Sequence, residues 1–85
     1  MSPREAAVAA EIRRIASEEL RLPGAPGDDE ELAGRLDSLA LLSLVVAVED
    51  RFRVILTEED AARTRSLADL ARLVAARAPA EVIPA

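Results

Sequence analysis

The 85-residue chain has no cysteine, histidine, tryptophan, tyrosine or lysine, and a single phenylalanine. Each absence removes a class of chemistry. Without cysteine no disulfide can staple the fold, so a domain this small must rely on packed helix faces. Without cysteine or histidine the ligands of a zinc or iron site are missing. Cys–His and Ser–His nucleophilic pairs and imidazole acid–base work go with them. Single-stranded nucleic acid would find no aromatic platform to stack on. The excess of 16 acidic over 11 basic residues, a net charge of −5, also argues against a nucleic-acid partner. No apolar run is long enough to span a bilayer. The stretch after Arg4 and Glu5 is broken by Glu11, Arg13 and Arg14, so it does not have the form of a signal peptide. The expectation is one domain over residues 1–85, cytoplasmic, monomeric and not an enzyme, that binds no metal, membrane or nucleic acid.

What is present reads as helix. Ser2, Pro3 and Glu5 form a helix start, and Val8, Ile12, Ile15 and Leu20 follow at helical spacing, so a first helix should run from residue 3 to about 20. Residues 21–34, RLPGAPGDDEELAG, hold two prolines, three glycines and an acidic run, the composition of a long loop, with Leu32 and Leu36 as its anchors in the core. Residues 38–52 form a second helix. Thr57 suits the N-cap of a short helix from Glu58 to about Arg63, and Ser66 with Asp69 repeats the capping pattern ahead of a last helix. There Leu67, Leu70, Ala71, Val74 and Ala75 share one face to about Ala78. The ordered core should span residues 3–78, with 79–85 as a tail. The fold class is all-α, a four-helix bundle of three longer helices and one short one, with a long loop between the first two.

The second helix has two apolar faces. Leu41, Leu44, Val45, Val48 and Phe52 recur at spacings of three and four, which marks a core stripe. Leu39, Leu42, Ser43 and Val46 lie on the other side and lead into Glu49, Asp50 and Arg53. A face that ends in three charges is costly to bury. Leu39, Leu42 and Val46 are therefore expected to be exposed, as a surface for partners. The plain alternative is a central helix buried all round. Ser38 stands at the front of this helix. The ordinary role of serine there is the N-cap; the other is a hydroxyl presented where free N–H groups and the helix dipole favour a phosphate.

Asp37-Ser38-Leu39, followed in register by Leu44, Val48, Glu49, Phe52, Val54, Leu56 and the acidic Glu58-Glu59-Asp60, resembles the acyl carrier protein family, without gaps from Leu36 to about Val74. The resemblance implies that Ser38, between Asp37 and Leu39, receives a 4′-phosphopantetheine arm from coenzyme A. A separate phosphopantetheinyl transferase would add it with magnesium. The terminal thiol of the arm would then hold an acyl group as a thioester, importing the sulfur that the chain lacks. Leu39, Leu42, Ser43, Val46, Glu49 and Asp50 would meet the transferase and the acyl-loading and acyl-processing enzymes (an acyltransferase, ketosynthase or ligase).

The chain departs from fatty-acid carriers in having Ala40 and Ser43 where acids are usual, Arg51 and Arg53 where acids are common, and Thr64 where a large apolar residue often stands. A discrete carrier for a specialised pathway such as polyketide assembly is the expectation. A peptidyl or aminoacyl carrier of nonribosomal synthesis ranks second, and an unmodified helical interaction domain is the alternative from another class.

Overall fold

Three of the helices begin at a side chain that closes a reciprocal pair of hydrogen bonds. Ser2 Oγ accepts from the Glu5 N–H (3.1 Å) while Glu5 Oε1 accepts from the Ser2 N–H (2.8 Å), opening α1 at Pro3–Arg14. Thr57 and Asp60 do the same for α4 (Glu58–Arg63), and Ser66 and Asp69 for α5 (Leu67–Arg77). Each box satisfies two N–H groups that a helix start leaves open. Between them lie α2 (Leu32–Arg35) and α3 (Ser38–Phe52). This computed structural model describes residues 1–23 and 27–84.

The core forms where the apolar faces meet. Val8, Ile12 and Ile15 of the first helix, Leu44, Val48 and Phe52 of α3, and Leu67 and Val74 of α5 are all fully buried. Leu32 and Leu36 are buried as well, as expected of the loop's two anchors in the core. Arg4 ties α1 to the end of α5, donating from Nε to the Ala75 carbonyl (3.0 Å) and from Nη2 to the Ala78 carbonyl (3.1 Å). Those carbonyls are the acceptors that a helix C-terminus leaves unpaired.

The structure corrects four expectations. The first helix keeps α geometry only to Arg14; Ile15–Glu19 widen into one π turn, in which the Leu20 N–H reaches five residues back to the Ile15 carbonyl (3.0 Å). The extra residue lets the adjacent Ile15 and Ala16 both enter the core while Leu20 still packs against it. The expected loop contains a turn of helix, α2, because the buried Leu32 and Leu36 are one turn apart and the Leu36 N–H donates to the Leu32 carbonyl (2.8 Å); residues 24–26 of that loop lie outside the described residues. The expected tail folds back. Ala80–Val82 form a 3₁₀ turn, Val82 and Ile83 pack against the core, and Arg51 Nη1 donates to the Val82 carbonyl (2.9 Å).

The fourth correction concerns the inner stripe of α3. Leu44, Val48 and Phe52 are sealed, but Leu41 and Val45 are only half-buried. The side chains across from them on α4 and just after it include Ala61 and Thr64, too small to close over them. The outer strip stays bare, with Leu39, Leu42 and Val46 exposed. Truncating Phe52 or Leu44 to alanine should therefore cost about 2–5 kcal/mol, a large part of what holds a small domain together. Leu39→Ser or Val46→Ser should cost less than about 0.5 kcal/mol. Urea melts of the four variants check this; equal losses would mean that α3 is buried all round.

Candidate functional site

At the front of α3 two polar side chains compete for one cap. Asp37 takes it. Its backbone is extended (φ −72°, ψ 172°), its carboxylate accepts from the Ala40 N–H (2.8 Å), and its carbonyl accepts from the Leu41 N–H (2.9 Å). A carboxylate at this position also gains from the positive end of the helix dipole, which a neutral hydroxyl does far less. Ser38 is thus the first residue inside the helix, not its cap. Its hydroxyl is exposed and makes no hydrogen bond among the described residues. The backbone N–H groups of Ser38 and Leu39 likewise have no partner there. The buried Leu36, two residues upstream, fixes the chain where it enters the turn. The result is a free hydroxyl on an anchored helix end, with unpaired donors beside it.

Along the outer face Leu39, Leu42 and Val46 are 74%, 59% and 47% exposed. Ser43 is half-buried among them and Asp50 is exposed beyond them. Glu49 is placed differently from a free surface acid: its Oε2 accepts from the Leu56 N–H (2.9 Å). Its carbonyl also accepts from the N–H groups of Arg53 and Val54, closing the turn at which Arg53 adopts a left-handed conformation (φ 54°). Glu49 therefore organises the connector after α3. That connector adds an apolar residue which sequence spacing did not single out, Ile55, 79% exposed. Nothing in a helical repeat marks a residue that lies outside the helix.

Beside Ser38 opens an apolar groove of about 350 Å³. Leu41, Leu42 and Val45 of α3 line it with Leu70 and Leu73 of α5, and α4 supplies Asp60 and Ala61. Of the polar groups on the α4 side, Asp60 and Thr57 are already engaged, whereas the Glu58 carboxylate makes no hydrogen bond among the described residues. Arg77 Nη1 and Nη2 donate to the two Asp60 carboxylate oxygens (2.5 and 2.8 Å), and the Thr57 N–H donates to Oδ2 (2.9 Å). The Arg77 guanidinium, helped by the Thr57 N–H, holds the Asp60 carboxyl well below the usual carboxylate range. It is a fixed anion in a short helix and is not free for acid–base work. Among the described residues no group of three or more Asp or Glu side chains gathers as a metal site, and no helix is long and apolar enough to cross a membrane.

Compared with protein families, residues 10–74 match the phosphopantetheine attachment site family, from inside α1 to the middle of α5. The chain belongs to this family. No curated protein and no solved structure matches it. Domains of this family are helical carriers that bear 4′-phosphopantetheine covalently and meet phosphopantetheinyl transferases and biosynthetic enzymes. The residues at the front of α3 fit such an arm. A phosphodiester there would meet the unpaired N–H groups and the positive end of a 15-residue helix. The assignment of the cap has a direct consequence for stability. Asp37→Ala should cost about 1 kcal/mol, whereas Ser38→Ala should cost only a few tenths. Chemical denaturation of both variants checks this, and the reverse order would return the cap to Ser38.

Proposed function

We propose that the Ser38 hydroxyl is the point of attachment, and that the chain carries acyl intermediates as thioesters on the arm. The observation that carries this reading is the division of labour at the helix start: Asp37 supplies the cap and leaves Ser38 exposed and unbonded. The arm supplies a thiol that can hold and release an acyl group. The chain itself supplies the nucleophilic hydroxyl, the Asp37 cap that fixes its position, and an outer strip by which enzymes hold the carrier. In this reading residues 1–85 act as one monomeric carrier domain in the cytoplasm, where coenzyme A is available. It is a substrate of other enzymes and catalyses nothing.

The finer assignment is to a specialised pathway, polyketide assembly above all. Its support is the chemistry of α3. The first two turns present Ala40, Leu41, Leu42 and Ser43 and no acid, and of the two acids further on, Glu49 is tied to the Leu56 N–H. Charge steering contributes mainly to encounter rate and selectivity. A carrier with Leu39, Leu42 and Val46 in place of an acidic strip should therefore be gripped through apolar contact and ignore enzymes that search for negative charge.

One experiment in two stages tests both levels. Incubation with coenzyme A and a broad-specificity transferase should add the mass of one arm to the wild type and none to Ser38→Ala. The loaded carrier should then be a poor substrate for a housekeeping fatty-acid malonyl transferase, with rates nearly independent of salt. Ala40→Asp combined with Ser43→Glu should raise those rates and make them salt-sensitive. Modification of the alanine variant would overturn the attachment site. Wild-type rates equal to those of a housekeeping carrier would overturn the specialised assignment.

A further inference from the structure

A chain that holds a thioester is exposed to its own nucleophiles, and these 85 residues contain almost none. All 11 basic residues are arginine, so no side chain carries an amine, and no thiol, imidazole or phenol is present either. A guanidinium keeps its proton at any physiological pH and does not attack a carbonyl carbon. The hydroxyls are mostly engaged. Ser2, Thr57 and Ser66 cap helices, Ser17 Oγ donates to the Arg13 carbonyl (3.0 Å) and Thr64 Oγ1 to the Asp60 carbonyl (2.8 Å). Apart from Ser38 itself that leaves Ser43, a neutral hydroxyl in a chain with no histidine to activate it.

The one amine in these residues is the α-amine of Met1, and the fold sets it apart from Ser38. Arg4 donates to the carbonyls of Ala75 and Ala78, so the start of α1 lies by the end of α5. Ser38 belongs to the other end: Leu32, which lines the groove with it, donates its N–H to the Arg65 carbonyl (2.8 Å) just before α5. The 11 residues of α5 separate the two ends by about 16 Å. The basic groups nearer the arm are arginines. Arg35 stands three residues before Ser38, at most about 11 Å along the chain. It is exposed and pairs with Glu30 (2.7 Å). Arg65 lines a second cleft, which shares Leu41 and Thr64 with the groove. Arg77 is fixed on the Asp60 carboxylate (2.8 Å).

We propose that the chain is inert toward its own cargo and therefore tolerates electrophilic acyl groups, namely β-ketoacyl and α,β-unsaturated acyl thioesters. The proposal rests on the reading of the chain as an acyl carrier and names a class of cargo for it. Three side reactions are avoided. A lysine amine within reach would attack the thioester carbonyl: a C–N bond forms, the C–S bond breaks, and the amine proton passes to the departing thiolate. A β-ketone would condense with the same amine to an imine, with loss of water. An α,β-double bond would take an amine nitrogen or a cysteine sulfur at its β-carbon and the proton at its α-carbon. A flexible arm presents its cargo to such a side chain at roughly millimolar effective concentration. With arginine at every basic position, the strong nucleophiles are the arm's own sulfur, masked while it is loaded, and the distant Met1 amine.

The test loads the arm on Ser38 with acetyl, crotonyl or acetoacetyl groups and incubates each form at low protein concentration. Neutral hydroxylamine then cleaves thioesters and leaves amides, and intact mass reads what stays on the chain. The wild type should return to the mass of the protein with its free arm. Arg35→Lys, which keeps the charge, should retain acetyl and crotonyl groups. Its initial rate of acetyl retention should rise about tenfold per pH unit between pH 7 and 9, the slope of freeing an amine whose pKa is about 10.4. With the acetoacetyl arm, cyanoborohydride should trap an imine in Arg35→Lys and none in the wild type. If Arg35→Lys does not fold, Arg65→Lys takes its place. An acyl group or imine retained on the wild-type chain would overturn the inertness. A folded lysine variant as clean as the wild type would overturn it too, because a lysine within reach would then be harmless. Failure of Ser38 to accept any arm would overturn the carrier reading instead.

Discussion

The hydrogen bond from the Ala40 N–H to the Asp37 carboxylate decides where α3 begins. The buried Leu36 just before this cap and the buried row of Leu44, Val48 and Phe52 then set the rotation of the helix, because residues three and four apart share one face. With Asp37 as cap, Leu44, Val48 and Phe52 point into the core, Leu39, Leu42 and Val46 point out, and Ser38 stands at the rim of the groove. Had Ser38 been the cap, its hydroxyl would accept a backbone N–H and would be poorly placed to react. The adjacent pair Asp37-Ser38 thus separates two jobs that one residue could not do together: holding the helix end and presenting a free nucleophile.

The rest of the molecule keeps that helix in place with little material. The core has one aromatic ring, Phe52, with Arg51 stacked over it at 4.9 Å from the ring centre. Arginines do much of the orienting, and Arg14, Arg51 and Arg77 do so through several donors at once. Arg51 reaches Glu11 (2.8 Å) on α1 and the Val82 carbonyl (2.9 Å) after α5. Arg14 bridges Glu11 and Glu19 across the π turn, Arg13 pairs with Asp28, and Arg77 holds α4 through Asp60. Exposed ion pairs of this kind add little stability individually. Their value here is geometric, because a planar guanidinium fixes two or three partners in one arrangement, which a lysine ammonium would not. The six-residue α4 makes the point: its carboxylate Asp60 both closes the capping box and binds Arg77, so one side chain positions the whole helix against the groove.

Much of this was legible in the sequence, for identifiable reasons. The starts of α1, α4 and α5 follow from Ser2, Thr57 and Ser66, each with an acid three residues on. The bounds of α3 at 38 and 52 follow from the apolar run and the charges that end it. The bare outer strip follows from the same pattern. The cap of α3 was not legible, because aspartate and serine are both strong N-caps and local preference ranks them alike. The π turn leaves no trace in a helical period. The half-burial of Leu41 and Val45 depends on the small size of Ala61 and Thr64, which lie about twenty residues away in the chain, and a helical wheel sees only its own helix. The second role of Glu49 was hidden for a similar reason: its acceptor capacity is taken by Leu56, a backbone donor beyond the end of the helix.

The central claim is that α3 presents one face to the core and the other, with Ser38, to enzymes. It is tested most directly by titrating isotopically labelled protein with a phosphopantetheinyl transferase and following backbone amide and methyl shifts. The account expects the changes to concentrate at Ser38, Leu39, Leu42 and Val46, with Leu44, Val48 and Phe52 unmoved. Shifts spread evenly around α3, or centred on a face that does not include Ser38, would contradict it.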